Sequence, residues 1–172
     1  MSPKGRDAIV WRFEPFDALT GPALYALLQL RSQVFVVEQN CVFQDMDGVD
    51  DHAMHLLGTL DGQLVAYARC FEAGRKYAEA SIGRVVTRDT LRGSGLGHAL
   101  VQESIASLIA CWGVQAIRIG AQQQLGKFYG LHGFKASGEP YSEDGIPHVE
   151  MVRSADASCD ASRFAKLAKA RG

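Results

Sequence analysis

The sequence predicts a mixed α/β (α+β) domain, and three observations carry that expectation. Runs of β-branched and aromatic residues alternate with runs of helical hydrophobic period. The pair Asp61-Gly62 separates two strand-like runs, the strongest short-range signal for a hairpin. In the second half a glycine-rich turn joins a strand-like run to a long amphipathic stretch, an order that implies some parallel pairing.

The elements follow in order. Residues 8–14 read as a first strand, punctuated by Pro15 and then Gly21-Pro22. From Pro22 to Glu38 the period becomes helical, with Leu27, Leu30, Val34 and Val37 as its buried stripe; a second stripe, Leu24, Leu28 and Phe35, is interrupted by Arg31. Gln39 to Asp51 is acidic and irregular, longer than a simple connection needs, which favours a working role. Strands are expected at 55–60, 63–71 and 80–87, and a helix at 94–112 that Gly113 stops. A strand at 114–119, a short helix at 123–132 and closing strands at 134–137 and 148–152 complete a single domain over 8–153. The Ala/Lys-rich segment 154–172 is expected as a loosely held, possibly helical tail.

At 172 residues, 47% hydrophobic and 22% charged, the chain has the composition of a soluble globule rather than a disordered segment. A net charge of −1 argues against a global grip on nucleic acid or an anionic membrane, and no run is apolar enough for a membrane span. The polar opening Met1 to Asp7 lacks an apolar signal core. Cys41, Cys70, Cys111 and Cys159 are scattered, without a Cys-x-x-Cys pair, so a reducing, cytoplasmic setting fits best.

The turn Arg92-Gly93-Ser94-Gly95-Leu96-Gly97 lies between a strand and a helix. Freed amides at a helix start, with the positive end of its dipole, suit a pyrophosphate, and Arg92 adds a charge-assisted contact. Gly97 is followed by His98 rather than by Lys-Ser/Thr, which disfavours a nucleotide triphosphatase. No carboxylate occurs between Glu103 and Glu139, which disfavours a dinucleotide fold with its acidic ribose ligand.

Arg92, Gly95 and Gly97 in the spacing Arg-x-x-Gly-x-Gly, after Val85-Val86-Thr87, resemble the acyl-CoA loop of the GNAT N-acetyltransferase superfamily. Phe128-Tyr129-Gly130-Leu131-His132-Gly133-Phe134 resembles that superfamily's Phe-Tyr-x-x-x-Gly-Phe element. Leu24 to Arg31, Val34 to Cys41, Gln44 to Gly48, Tyr67 to Arg69, Gly83 to Val85 and Glu143 to His148 resemble the ElaA family within it. Together these words cover most of the chain from Ile9 to Val152.

The resemblance implies a mixed six- to seven-stranded twisted sheet flanked by about four helices. It implies transfer of an acetyl group from acetyl-CoA to an amine of a small molecule or peptide, by direct attack in a ternary complex. By position, Val85, Val86 and Thr87 offer backbone groups to the pantetheine and thioester, and the amides of Gly93, Ser94, Gly95, Leu96, Gly97 and His98 wrap the pyrophosphate. Tyr129 is the expected general acid for the departing thiolate. Many superfamily members carry a glutamate on the preceding strand, but Ala116 to Ala121 contains none. The base is therefore left among Glu38, His55 and water leading to the acidic loop.

Asp45, Asp47, Asp50 and Asp51 are expected to attract a cationic acceptor. Arg31, paired with Asp47 or Asp51, is expected to clamp the acceptor side. Asp45-x-Asp47-Gly48 lacks the spacing and terminal glutamate of a calcium loop, so no metal is expected. Cys41, with no identifiable base nearby, is expected to pack rather than to attack. A non-catalytic acyl-CoA sensor and an acyl-homoserine-lactone-synthase-like acyltransferase are the alternatives. A monomer or a homodimer is compatible with the sequence.

Overall fold

A computed structural model describes residues 8–157, and the predicted tail helix falls largely outside them. Eight strands form one sheet: β1 (Val10–Pro15), β2 (Met54–Leu60), β3 (Gln63–Phe71), β4 (Ala80–Thr87), β5 (Ile117–Gln122), β6 (Phe134–Ala136), β7 (Tyr141–Glu143) and β8 (Ile146–Arg153). Their order is β1-β2-β3-β4-β5-β8-β6, with β7 paired to β8. The helices are α1 (Gly21–Arg31, continued by a π-helical turn over Ser32–Glu38), α2 (Leu96–Trp112) and α3 (Gly126–Gly130).

The sheet is sandwiched. Leu27, Leu30 and Val34 of α1 pack with Leu57, Tyr67 and Val86 on one face. Leu100, Val101, Ile105 and Leu108 of α2 pack with Leu56, Ala68, Ile82, Ile117 and Ile119 on the other. Covered on both faces, β3 is buried at every position from Leu64 to Phe71.

Departures from the expected boundaries have local causes. The i→i+5 bonds Gln39 N to Val34 O and Cys41 N to Val36 O widen the end of α1, and the altered phase turns Val37 outward, 63% exposed, instead of into the stripe. Strand β5 begins at Ile117, not Val114, because the Gln115 side chain donates to the Trp112 and Gly113 carbonyls at 2.9 and 3.2 Å, holding that segment to the helix end. The strand not expected from the sequence, β7, makes a hairpin with β8 through Asp144-Gly145, whose φ values of 50° and 79° match the 50° and 78° of Asp61-Gly62.

Two features open the sheet. First, β4 pairs in parallel with β5 only at Ala80↔Ile117 and Ser81↔Arg118, after which the strands diverge. Second, a bulge interrupts the β3–β4 register, with Arg84 at φ 51°. The bulge inverts the pleat: Ile82 faces the α2 core, whereas Val86, of the same parity, faces the α1 core.

The acidic loop is bolted over the α1 face. Arg31, fully buried, donates from Nε to Asp45 Oδ2 and from Nη1 to Asp50 Oδ1, both at 2.7 Å, and from Nη2 to the Asp45 carbonyl at 3.1 Å. Arg69 engages both Asp47 oxygens at 2.7 Å and Asp50 Oδ1 at 2.8 Å. Arg84 engages Asp45 Oδ1 at 2.8 Å. The expected partners of Arg31, Asp47 and Asp51, are thus corrected to Asp45 and Asp50. The Arg69 hydrogen bonds hold the Asp47 carboxyl down to about 2, while those from Arg31 and Arg69 keep Asp50 low against a burial that opposes ionisation.

His55 completes the bolt. Its Nε2–H donates to the Asp50 carbonyl at 2.9 Å, so Nδ1 must accept from the Tyr67 hydroxyl at 2.8 Å. Burial, with Arg31 and Arg69 nearby, pushes this imidazole below its ordinary value of 6.5.

Two outcomes follow from this bolt. Arg31→Met, which leaves the buried Asp45 and the half-buried Asp50 carboxylates short of a partner, is expected to cost about 3–5 kcal/mol in urea unfolding; a loss below ~1 kcal/mol would make the bolt decorative. Below pH 6.5 the unfolded chain takes a proton at His55 that the native state refuses, so stability present above that pH is lost as pH falls. Melting temperature should therefore fall from pH 7.5 to pH 5, and less steeply in His55→Gln; a flat wild-type profile would contradict this.

Candidate active site

A cavity of about 610 Å³ fills the opening between β4 and β5. Its walls are Ile82 to Thr87 on one side, Ile119 to Gln122 on the other, the end of α1, the Arg92–His98 turn, and the β7–β8 hairpin. Tyr129, Glu38, Val85, Val86, Thr87, Arg92, Gly93, Gly95, Gly97 and His98 all line it. His55, Arg31, Asp45 and Asp47 do not.

The turn adopts the geometry expected of an anion cradle. Gly93 and Gly95 have φ values of 77° and 87°, accessible to glycine without strain, and Gly95 is the N-cap of α2. The Ser94 and Leu96 amides meet Leu91 O and Ser94 Oγ only at 3.4 Å. Among the described residues, no acceptor takes up the amides of Gly93, Gly95 or Gly97. Three unsatisfied N–H groups at the start of a 17-residue helix fit a diphosphate.

Arg92 is not idle. Both its Nη atoms engage the Glu38 carboxylate, Nη2 at 2.9 Å, bridging the end of α1 to the turn. That pairing holds the Glu38 carboxyl below the usual range, which makes Glu38 a poorer base than its position suggests.

Tyr129 stands at the end of α3, edge-on to Phe128 at 5.0 Å and Phe134 at 6.0 Å. Its ring is buried, and its hydroxyl has no acceptor among the described residues. Burial alone pushes the phenol well above its ordinary value, so it stays protonated at neutral pH and able to donate.

The other predicted residues are redistributed. His55, with both nitrogens engaged under the acidic loop, is a structural histidine and not a base for the cavity. Arg31, Asp45 and Asp47 are spent on the bolt, so the loop presents little of the expected attraction for a cationic acceptor. Cys41, expected to pack, is half-buried and lines the cavity, with Sγ 3.4 Å from the Asp144 carbonyl. No group of three or more His, Cys, Asp or Glu side chains among the described residues is arranged to hold a metal, and no described helix is long and apolar enough to cross a membrane.

The sequence reasoning missed Tyr77, Tyr141 and His148, which line the cavity opposite the glycine turn. The signal was available for two of them: Asp144-Gly145 marks a hairpin by the same rule as Asp61-Gly62, and that hairpin carries Tyr141 and His148 onto the cavity wall.

Residues 27–155 match the acetyltransferase (GNAT) domain family. Protein ElaA of Escherichia coli strain K12 is 42% identical over 147 residues, covering 84% of this chain and 96% of that protein. The crystal structure of Escherichia coli ElaA superposes with a TM-score of 0.79 at 41% identity, over 85% of this chain and 99% of that one. An acyl-CoA N-acyltransferase from Pseudomonas aeruginosa superposes with a TM-score of 0.81 at 42% identity, over the same shares of the two chains. The acyl-homoserine-lactone synthase LasI, 14% identical with a TM-score of 0.71 over 91% of this chain and 95% of that one, shares the fold.

If the turn takes a diphosphate, Glu38 competes with it for Arg92, and Glu38→Gln is then expected to tighten coenzyme A binding by up to ~5-fold, the worth of an exposed ion pair. Calorimetry with Glu38→Gln, Arg92→Ala and the double variant checks this; a gain that survives removal of Arg92 would refute it.

Proposed function

Since the chain belongs to the GNAT acetyltransferase family, we propose that it moves the acetyl group of acetyl-CoA onto a primary amine of a small molecule or peptide, by direct attack in a ternary complex. The observation that carries this reading is that unsatisfied amides and a buried phenol line one cavity: Gly93, Gly95 and Gly97 at the turn before α2, and Tyr129 on α3.

In this reading the amides from Gly93 to His98 hold the diphosphate, with Arg92 adding charge once released from Glu38. The backbone of Val85 to Thr87, with no partner on β5, orients the acyl arm. Bound acetyl-CoA supplies a thioester carbonyl as electrophile. An N–H held near that carbonyl stabilises the oxyanion, and holding amine and thioester together removes most of the entropic barrier. Tyr129 protonates the departing sulfur.

Mixing the protein with acetyl-CoA and an amine panel while following free thiol tests the reading. Binding of acetyl-CoA without turnover on any amine would make the protein an acyl-CoA sensor instead. Tyr129→Phe is expected to lower kcat by about 10²-fold or more while changing the Kd for acetyl-CoA by less than ~3-fold; parallel loss of both would make Tyr129 a packing residue.

A further inference from the structure

An amine at neutral pH arrives as an ammonium, and β5 offers no carboxylate to deprotonate it. The structure shows why. A Cβ on Gly120 would stand 3.0 Å from the Tyr141 hydroxyl and 3.8 Å from that of Tyr77. The phenol that the β7–β8 hairpin lays across β5 fills the space in which a strand side chain would stand.

The carboxylates near the cavity are otherwise committed. Glu38 is held by Arg92, and Asp45, Asp47 and Asp50 by Arg31, Arg69 and Arg84. Glu79 and Glu150 share Arg118 at 2.8 and 2.6 Å. Glu143 and Asp144 remain, at the exposed tip of the hairpin.

His148 differs from all of these. It lies on β8 opposite Gln122, and Val149 and Met151 beside it face the α2 core, so its own side chain is on the α1 face with Gly120 and Gln122. Its ring is half-buried and stacked on Tyr141, with centroids 5.9 Å apart and planes inclined by 29°. Nδ1 sits 2.8 Å from the Ile146 carbonyl, and a carbonyl only accepts, so Nδ1 carries the proton. Nε2 therefore keeps its lone pair, and among the described residues nothing donates to it. An imidazole nitrogen with its lone pair free is intrinsically a stronger base than a carboxylate and is suited to proton abstraction near neutral pH.

Resting on the N-acetyltransferase reading above, we propose that His148 Nε2 is the general base that takes the acceptor's proton, directly or through one water. The ammonium gives one proton to Nε2, which passes it to solvent. The freed lone pair forms the C–N bond as the C–S bond breaks. The nitrogen sheds a second proton to water, and the sulfur gains one from Tyr129, which water restores. The products are the amide, the free thiol and one released proton. The titratable and charged groups sharing the cavity with His148 are Tyr141, Glu143 and Asp144 from the hairpin, Lys76 and Tyr77 from the β3–β4 connection, Arg69 and Arg84 from β3 and β4, Glu38 and Cys41 at the end of α1, Arg92 and His98 at the glycine turn, and Tyr129 from α3.

Two measurements test this. In the full chain labelled with ¹⁵N-histidine, His148 should show the Nδ1–H tautomer at pH 7.5, and an Nε2–H tautomer would overturn the proposal. Thiol release is then followed with acetyl-CoA and either benzylamine and putrescine, which arrive protonated, or hydroxylamine, which does not. His148→Asn and His148→Gln are expected to lose about 10²-fold in kcat/KM on the alkylamines, to recover as pH rises towards 9.5, and to lose only a few-fold on hydroxylamine, with acetyl-CoA affinity retained. Equal loss on both classes, no loss, or selective loss in Glu143→Gln or Asp144→Asn instead would overturn it. So would wild-type turnover of hydroxylamine alone. Absence of wild-type turnover on every amine would sink the acetyltransferase reading itself, and this proposal with it.

Discussion

The carboxylate of Asp45 is the point on which the molecule's shape converges. One oxygen accepts from Arg31 in the buried end of α1, and the other from Arg84 at the bulge of β4. Helix, acidic loop and bulge are thereby held by one side chain that is 4% exposed. The bulge inverts the pleat of β4, and the inverted segment is the one that leaves β5 and lines the cavity. An ion network that reads in isolation as a feature of stability thus also fastens the acidic loop to the bulge where the sheet opens. Its charges balance, three arginines against Asp45, Asp47 and Asp50.

The two sides of the cavity are built on different principles. The side at the glycine turn uses backbone: positive-φ glycines, a helix start and an unpaired strand edge, none of which depends on side-chain identity beyond glycine. The other side uses side chains brought from four distant places, the end of α1, the β3–β4 connection, β5 and the β7–β8 hairpin. The Gln122 amide donating to the Gln39 side chain at 3.3 Å ties two of these together.

That division explains what was legible beforehand. The alternation of strands and helices, the hairpin at Asp61-Gly62 and the turn from Arg92 to Gly97 were readable, because local spacing encodes each of them. The clamp residue Arg31 was readable as a charge within an apolar stripe, but not its partners. Asp45, Asp47, Asp50 and Asp51 are equivalent in sequence, and only the loop's path assigns Asp45 and Asp50 to it. His55 stood among the candidate bases at the mouth of a strand, since nothing local reveals that Tyr67 and the Asp50 carbonyl occupy both its nitrogens. Val37 was misplaced because a 3.6-residue period does not anticipate a π-helical turn. His148 escaped for a similar reason: its place on the cavity wall depends on where a hairpin folds, and its tautomer on a carbonyl two residues away.

The two-rung seam between β4 and β5 also divides the molecule mechanically. On either side of it lie antiparallel half-sheets, β1 to β4 and β5 to β8, each laced by many more ladder bonds than the seam itself. Regions joined by few buried bonds open at lower free energy than those within a continuous ladder. Amide hydrogen exchange at Gly83 to Thr87 and Ile119 to Gln122 should accordingly show the seam opening locally, while the α2 core that spans both half-sheets keeps them joined.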